Sequence, residues 1–183
     1  INKLIVGFDY TITGHAYKCT DCPEDTINQG FDNYSVSTIA NTGSVARGIA
    51  LDNEGNIYVA DSDIGKIIQI STDNSVSDLL TGLNGTADLV IDGNNDIIFV
   101  DTNNHLIKKR KQNGEVTIIA GSTEGDRDAQ GNSAMLKRPK GLAIDSLGNI
   151  FFTEHGNHKI KKIDSEGYVS TFAGSGTSGS QDG

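Results

Sequence analysis

The chain has 183 residues, 36% of them hydrophobic and 21% charged, with 22 glycines, two prolines and no tryptophan. This composition suits one domain of many short strands joined by tight turns and speaks against long helices. A net charge of −9 opposes global attraction to nucleic acid or to an anionic membrane surface. No apolar run approaches the roughly 20 residues of a membrane-spanning helix. With no basic or apolar leader at Ile1, any targeting segment is expected outside this sequence.

Strand signals begin with Leu4-Ile5-Val6-Gly7, Ala16-Tyr17-Lys18 and the run 34–40. Register with the units that follow makes these the second, third and fourth strands of a unit, 1–47, that lacks its inner strand. Cys19 and Cys22 fall in a loop between these strands. A lone Cys-x-x-Cys has no second pair for zinc and no βαβ setting for thioredoxin-like chemistry, so a local disulfide is the favoured reading and two reduced thiols the alternative. Asn33-Tyr34-Ser35 and, further on, Asn84-Gly85-Thr86 are N-glycosylation sequons. Two sequons beside a disulfide point to an extracellular or cell-surface protein.

Three fuller units follow, 48–87, 88–140 and 141–183. Their inner strands are 48–52, 88–92 and 141–145, and their second strands are the β-branched and aromatic runs 56–61, 96–101 and 149–154. Third strands fall at 65–70, 105–110 and 158–163, each followed by a polar turn. The valines that open the last strands stand at 36, 76, 116 and 169, so the steps are 40, 40 and 53 residues. A unit of this size with four antiparallel strands is a β-propeller blade, whose small twisted sheet buries its faces only by stacking on neighbours. The longer third step places its extra residues between Gly121 and Arg138, in the connector from one blade's outer strand to the next blade's inner strand, where an insertion is expected to leave the sheets intact. The chain thus reads as all-β, a β-propeller segment of about four four-stranded blades in an open arc with two exposed edges. The tail 173–183 parallels 120–125 and predicts further blades outside the sequence.

The triplet Asn104-His105-Leu106, its counterpart Asn157-His158-Lys159-Ile160, and the frame Pro139-Lys140-Gly141-Leu142-Ala143-Ile144-Asp145 ahead of Gly148-Asn149-Ile150-Phe151-Phe152 resemble the NHL-repeat propellers. The resemblance is strongest from Gly48 onward. The second unit departs from it, with Ile64-Gly65 where Asn-His is expected. It implies a six-bladed propeller of which this chain is a part. Some relatives are lyases acting on peptidylglycine, with histidines holding a metal at the propeller axis, and others bind RNA through a basic face.

His105 and His158 recur one repeat apart, which favours a packing or turn-capping role over metal ligation, whereas His155 has no repeat counterpart. No set of three placed ligands for an axial metal stands out. Asp61, Asp101 and Glu154 occupy one position in three blades. Such a ring of acids is a weak candidate for Ca2+, against the commoner role of bonding turn amides. No Gly-x-Ser-x-Gly elbow, P-loop or Ser/His/Asp set is present, so no catalytic residue is assigned and no other cofactor is expected. Lys108, Lys109, Arg110 and Lys111, with Lys159, Lys161 and Lys162 one blade away, offer a basic patch to RNA, an anionic glycan or an acidic protein. The alternative is that they are solvated faces of outer strands.

The sequence therefore predicts a non-catalytic extracellular module that recognises protein or glycan, or assembles with further blades or neighbouring subunits, through loops held on a rigid frame. Asn103, Asn104, Lys108, Arg127, His155, Asn157 and Lys161 are the candidate binding residues. A propeller hydrolase or lyase with an axial metal and an RNA-binding propeller are the alternatives.

Overall fold

The computed structural model describes residues 45–179 together with Thr38. The expectations for the unit 1–47, including the Cys19–Cys22 disulfide and the Asn33 sequon, fall outside the described residues.

β-Branched and aromatic runs separated by Asp-led turns build three antiparallel sheets. The first is β1 (Ala46–Leu51), β2 (Ile57–Asp61), β3 (Lys66–Ile70) and β4 (Val76–Leu80), and the second is β5 (Leu89–Ile91), β6 (Ile97–Asp101), β7 (Leu106–Arg110) and β8 (Val116–Ala120). Next comes the connector strand β9 (Ala129–Gln130), and then the third sheet, β10 (Pro139–Ile144), β11 (Ile150–Glu154), β12 (Lys159–Ile163) and β13 (Tyr168–Ala173). Within each sheet the four main strands lie side by side in chain order. The long connector does more than leave the sheets intact. Through β9 it pairs antiparallel with β13, Tyr168 opposite Gln130 and Val169 opposite Ala129, and gives the third sheet a fifth strand. That outer edge is therefore covered over these residues. No helix among the described residues is long and apolar enough to cross a membrane.

One turn device recurs at one end of every sheet. Asp52 accepts the backbone N–H groups of Glu54 and Asn56, Asp92 those of Asn94 and Asp96, and Asp145 those of Leu147 and Asn149, all at 2.8–3.0 Å. The following left-handed position is filled by Gly55, Asn95 and Gly148, residue types that tolerate it. At the opposite end, single-turn 3-10 helices Thr102–Asn104 and His155–Asn157 stop at His105 (φ 61°) and His158 (φ 52°), both left-handed. In the first sheet Gly65 (φ 62°) occupies the corresponding place. The Ile64-Gly65 departure from Asn-His thus keeps the backbone that the turn requires.

The sheets stack face to face. Tyr58, Ala60 and Ile67 of the first pack against Leu89, Ile97 and Phe99 of the second. From the other face of the second sheet, Ile98, Val100, Ile107 and Ala120 meet Ile150, Phe152, Ile163 and Val169 of the third, joined by Leu136 of the connector. The second strand of a sheet sends alternate side chains to both neighbours, which is why β6 is buried along its whole length. Inner strands approach more closely than any side chain allows: a Cβ on Gly48 would lie 2.6 Å from the Asp88 Cα. Asp88 ties the next junction, its Oδ1 accepting the Leu89 N–H (2.9 Å) and its Oδ2 the Leu142 N–H of β10 (2.8 Å). Burial pushes its carboxyl above the usual carboxylate range despite these bonds.

Gly48→Ala forces the first two sheets apart and is expected to destabilise the protein by about 1–3 kcal/mol. Phe99→Ala, which empties the centre of the same interface, is expected to cost about 3–5 kcal/mol. Chemical denaturation reads both as midpoint shifts at unchanged slope.

Candidate functional site

The loop end of the stack is organised by the acids that close the second strands. Asp61, Asp101 and Glu154 are all fully buried. Asp101 accepts the Asn84 backbone N–H (2.8 Å), the Asn104 side-chain amide (2.9 Å) and the Lys108 ammonium (2.6 Å). Glu154 accepts the Lys137 backbone N–H (2.8 Å) and lies 3.3 Å from Lys161 Nζ. In both blades the acid holds the incoming connector to the sheet, and a lysine from the third strand neutralises it. The first sheet has the acid without the lysine. Ile68 stands where the others have Lys108 and Lys161, so Asp61 takes the Asp63 and Ile64 N–H groups (3.2 and 3.3 Å) on Oδ1, while its buried Oδ2 meets no donor among the described residues. Asp101 and Glu154 are committed to amides and lysines, and among the described residues no three His, Cys, Asp or Glu side chains stand together as a metal-binding group.

The connector supplies the rest of the charge balance. Lys161, with 0% of its side chain exposed, lies 2.9 Å from Asp126, 3.1 Å from Asp128 and 3.3 Å from Glu154. These contacts form an ion cluster rather than well-directed hydrogen bonds. Asp126 also pairs with Lys159 (2.5 Å), and Asp128 accepts the Thr171 N–H of β13 (2.7 Å). Burial works to lower the Lys161 pKa, but the surrounding carboxylates hold it above its ordinary value. Lys159 and Lys161 hold the Asp126 carboxyl below its usual range. For Asp128, burial is outweighed by the Thr171 N–H and Lys161, and its carboxyl is also held low.

The candidate binding residues divide between surface and interior. Lys161 is a correction: it is buried inside the ion cluster and cannot meet a ligand at the surface. Lys108 is committed to Asp101. Of the other residues of the expected basic patch, Lys109 is matched by Asp92 and Asp96, Lys111 by Glu115 and Lys159 by Asp126, while Arg110 and Lys162 make no ion pair among the described residues. Asn103 and Asn104 are exposed, yet their amides bond Asn84 (3.1 Å) and Asp101 (2.9 Å). Asn157 donates to the Gly125 carbonyl (2.8 Å), and Arg127 donates through Nε to the Ser133 carbonyl (3.0 Å), folding back on its own connector. His105 accepts the Arg138 N–H on Nδ1 (3.2 Å). His155 is exposed and, with Lys140, Thr153 and His158, lines a shallow depression of about 290 Å3 on the open side of the third sheet. Sequence reasoning missed Asp126 and Asp128. The signal was present, two acids in the one long connector facing a blade rich in lysine.

Lys161→Met strands three carboxylates around a neutral side chain and is expected to destabilise by about 3–5 kcal/mol. Ile68→Lys gives Asp61 the ammonium that Asp101 and Glu154 have in the other blades and is expected to raise the denaturation midpoint. Acid should act on the same cluster. Carboxyls depressed in the folded state stabilise it fully above their ordinary value of 3.8, and that contribution is lost as pH falls through the depressed values. Lys161, with its raised pKa, keeps its charge throughout this range. Below about pH 4 the connector 121–138 is therefore expected to become protease-sensitive before the sheets unfold, as limited proteolysis across pH would report.

No family model matches the chain. Over 60 residues it is 42% identical to Protein SUPPRESSOR OF QUENCHING 1, chloroplastic, of Arabidopsis thaliana, a match covering 32% of this chain and 6% of that protein. Over 85 residues it is 34% identical to NHL repeat-containing protein 2 of Gallus gallus, covering 45% of this chain and 12% of that one. The chain thus spans a small part of the length of these curated relatives. Among solved structures it superposes on an auxiliary nutrient binding protein from Bacteroides thetaiotaomicron with a TM-score of 0.64 at 19% identity, covering 75% of this chain and 38% of that one. A gluconolactonase from Xanthomonas campestris gives 0.63 at 15% (74% and 50% covered), and a chain of a nidogen/laminin complex 0.59 at 20% (72% and 49% covered). At such identities the likeness is one of fold. Strand order, repeat register and the likeness to solved propellers converge, and what stacks in this chain is a row of β-propeller blades that resemble NHL repeats.

Proposed function

We propose that the chain is a non-catalytic extracellular module for binding and assembly, built to seat a further propeller sheet or a neighbouring subunit. The observation that carries this reading is the open face of the third sheet. In the second sheet Val90, Ile98, Ile107 and Ile119 pack toward the third. Their counterparts one repeat on are Ala143, Phe151, Ile160 and Phe172. These form an apolar surface with Phe172 64% and Ile160 41% exposed, the rings of Phe151 and Phe172 meeting edge to face at 5.2 Å. A face that its neighbour buries at every other position is shaped to receive a sheet of the same kind. The nidogen/laminin neighbour is a protein complex on the same fold, which fits protein binding. A catalytic reading is disfavoured because Asp101, Glu154, Lys108 and Lys161 are tied to one another and to backbone amides. An RNA-binding reading is disfavoured because Lys108, Lys109, Lys111, Lys159 and Lys161 of the basic patch are matched by acids.

The 183-residue chain is expected to self-associate in sedimentation velocity at micromolar concentration, and Phe172→Ser to return it to a monomer that still unfolds cooperatively. A monomeric wild-type chain would sink the assembly reading. The extracellular part of the proposal rests on the Asn33 and Asn84 sequons and on Cys19 and Cys22. Peptide mapping of the natural protein is expected to find glycans on both asparagines and a Cys19–Cys22 disulfide. Because Thr86 is fully buried, the glycan at Asn84 must be added before this blade folds. Bare asparagines with free thiols would overturn the localisation.

A further inference from the structure

Where the blades depart from their shared repeat, several departures gather in one place. Tyr58 stands where the other blades have Ile98 and Phe151, and Gln69 where they have Lys109 and Lys162. Arg110 replaces Ile70 and Ile163, and Asn95 replaces Gly55 and Gly148. The first two belong to the first sheet and the last two to the second, and all four line a single groove of about 230 Å3 between those sheets. The groove lies at the end carrying the Asp-led turns, away from the loop end. Stacking and turn geometry make the same demands on every blade, so neither explains four departures at unrelated repeat positions that meet across one junction.

The substitutions change what the groove offers. In the second blade Lys109 clamps Asp92 and Asp96 at 2.7 and 3.0 Å. In the first, the lysine is gone and Tyr58 donates its hydroxyl to Asp52 instead (2.9 Å), with Gln69 donating to the Tyr58 oxygen (3.4 Å). Asp52 accepts four bonds in all, from Glu54, Tyr58 and twice from Asn56, and is saturated. Its role is to fix Tyr58. The Arg110 side chain donates only to the Lys111 carbonyl among the described residues (3.2 Å). Asn95 accepts the Asn53 N–H (3.3 Å) on its oxygen, which leaves its NH2 to the groove. The Glu54 carboxylate supplies an acceptor at the same place.

A guanidinium that only donates, a carboxylate that only accepts, and amides that do both are matched by a ligand whose groups each donate and accept. That is the description of hydroxyl groups on a neutral ring. Asp52 and Glu54 repel an anion, and Arg110 repels a cation. Leu79 and Ile97, also on the groove wall, suit the C–H face of such a ring. The volume is below the roughly 300–1,000 Å3 of drug-sized sites and suits one ring. We propose that this groove binds a single neutral hexose unit of a glycan. The proposal deepens the recognition reading and rests on it only for the premise that the module binds a partner.

The test titrates the full chain with glucose, galactose, mannose and N-acetylglucosamine by calorimetry and saturation-transfer NMR. At least one is expected to bind saturably with a dissociation constant on the order of 1 mM. Affinity is expected to fall about tenfold or more in Arg110→Ile and in Gln69→Lys. Each variant installs the residue that the sister blades carry, so the stack is kept, and an unchanged denaturation midpoint verifies it. Absence of saturable binding by all four sugars overturns the proposal. So does binding that Arg110→Ile leaves unchanged, which would place any sugar site on another surface. Neither result bears on self-association through Phe172, so the two readings fail separately.

Discussion

Taking a carboxylate out of water costs several kcal/mol unless charge and hydrogen bonds replace the lost hydration, and every described blade does so at the end of its second strand. The position is forced by the stack. The second strand is the one that both neighbours cover, and its last residue is where the chain must leave the sheet and the incoming connector must enter. A buried acid solves that crossing by accepting a connector amide, as Asp101 does from Asn84 and Glu154 from Lys137. In these two blades Lys108 and Lys161, one strand further out, supply the counter-charge. Both lysines are thereby tied inward. The first blade has Ile68 in place of the lysine, and there the buried acid accepts the Asp63 and Ile64 amides of its own turn.

This arrangement divides the molecule by mechanical role. The loop end is tied down by acids, lysines and asparagine amides, so its exposed residues present a fixed rather than an adaptable surface. The apolar face of the third sheet is repeat-derived, which suits seating another sheet. The groove at the turn end is the opposite case, specific to one junction and polar. A repeat architecture separates these roles cheaply, since positions that obey the repeat keep the stack together and positions that break it are released for chemistry.

Much of the fold was legible in the sequence because a propeller repeats its constraints. Steps of 40 residues, valine-led outer strands and Asp-led turns each recur, so errors in one blade are corrected by the next. The blade boundaries drawn at 48–87, 88–140 and 141–183 rest on that register. The site was less legible for a physical reason. Lys161 reads as a surface charge by its alternation along β12, and only the path of the connector, set by long-range pairing, shows that Asp126 and Asp128 close over it. The structural role of His105 and His158 was legible from their recurrence one repeat apart, and both stand at a left-handed helix stop. The insertion's strand was not, since Ala129 and Gln130 carry no β signal of their own and are strand only by virtue of β13.

That added strand lies ahead, in the chain, of the blade whose edge it covers. Ala129 and Gln130 leave the ribosome before Tyr168 and Val169 do, so the guard is made before the edge it guards. An unpaired outer strand is most dangerous during synthesis, when neighbouring nascent chains offer partners of the same sequence. Over these two residues, the third blade can close on its own connector as soon as its last strand emerges.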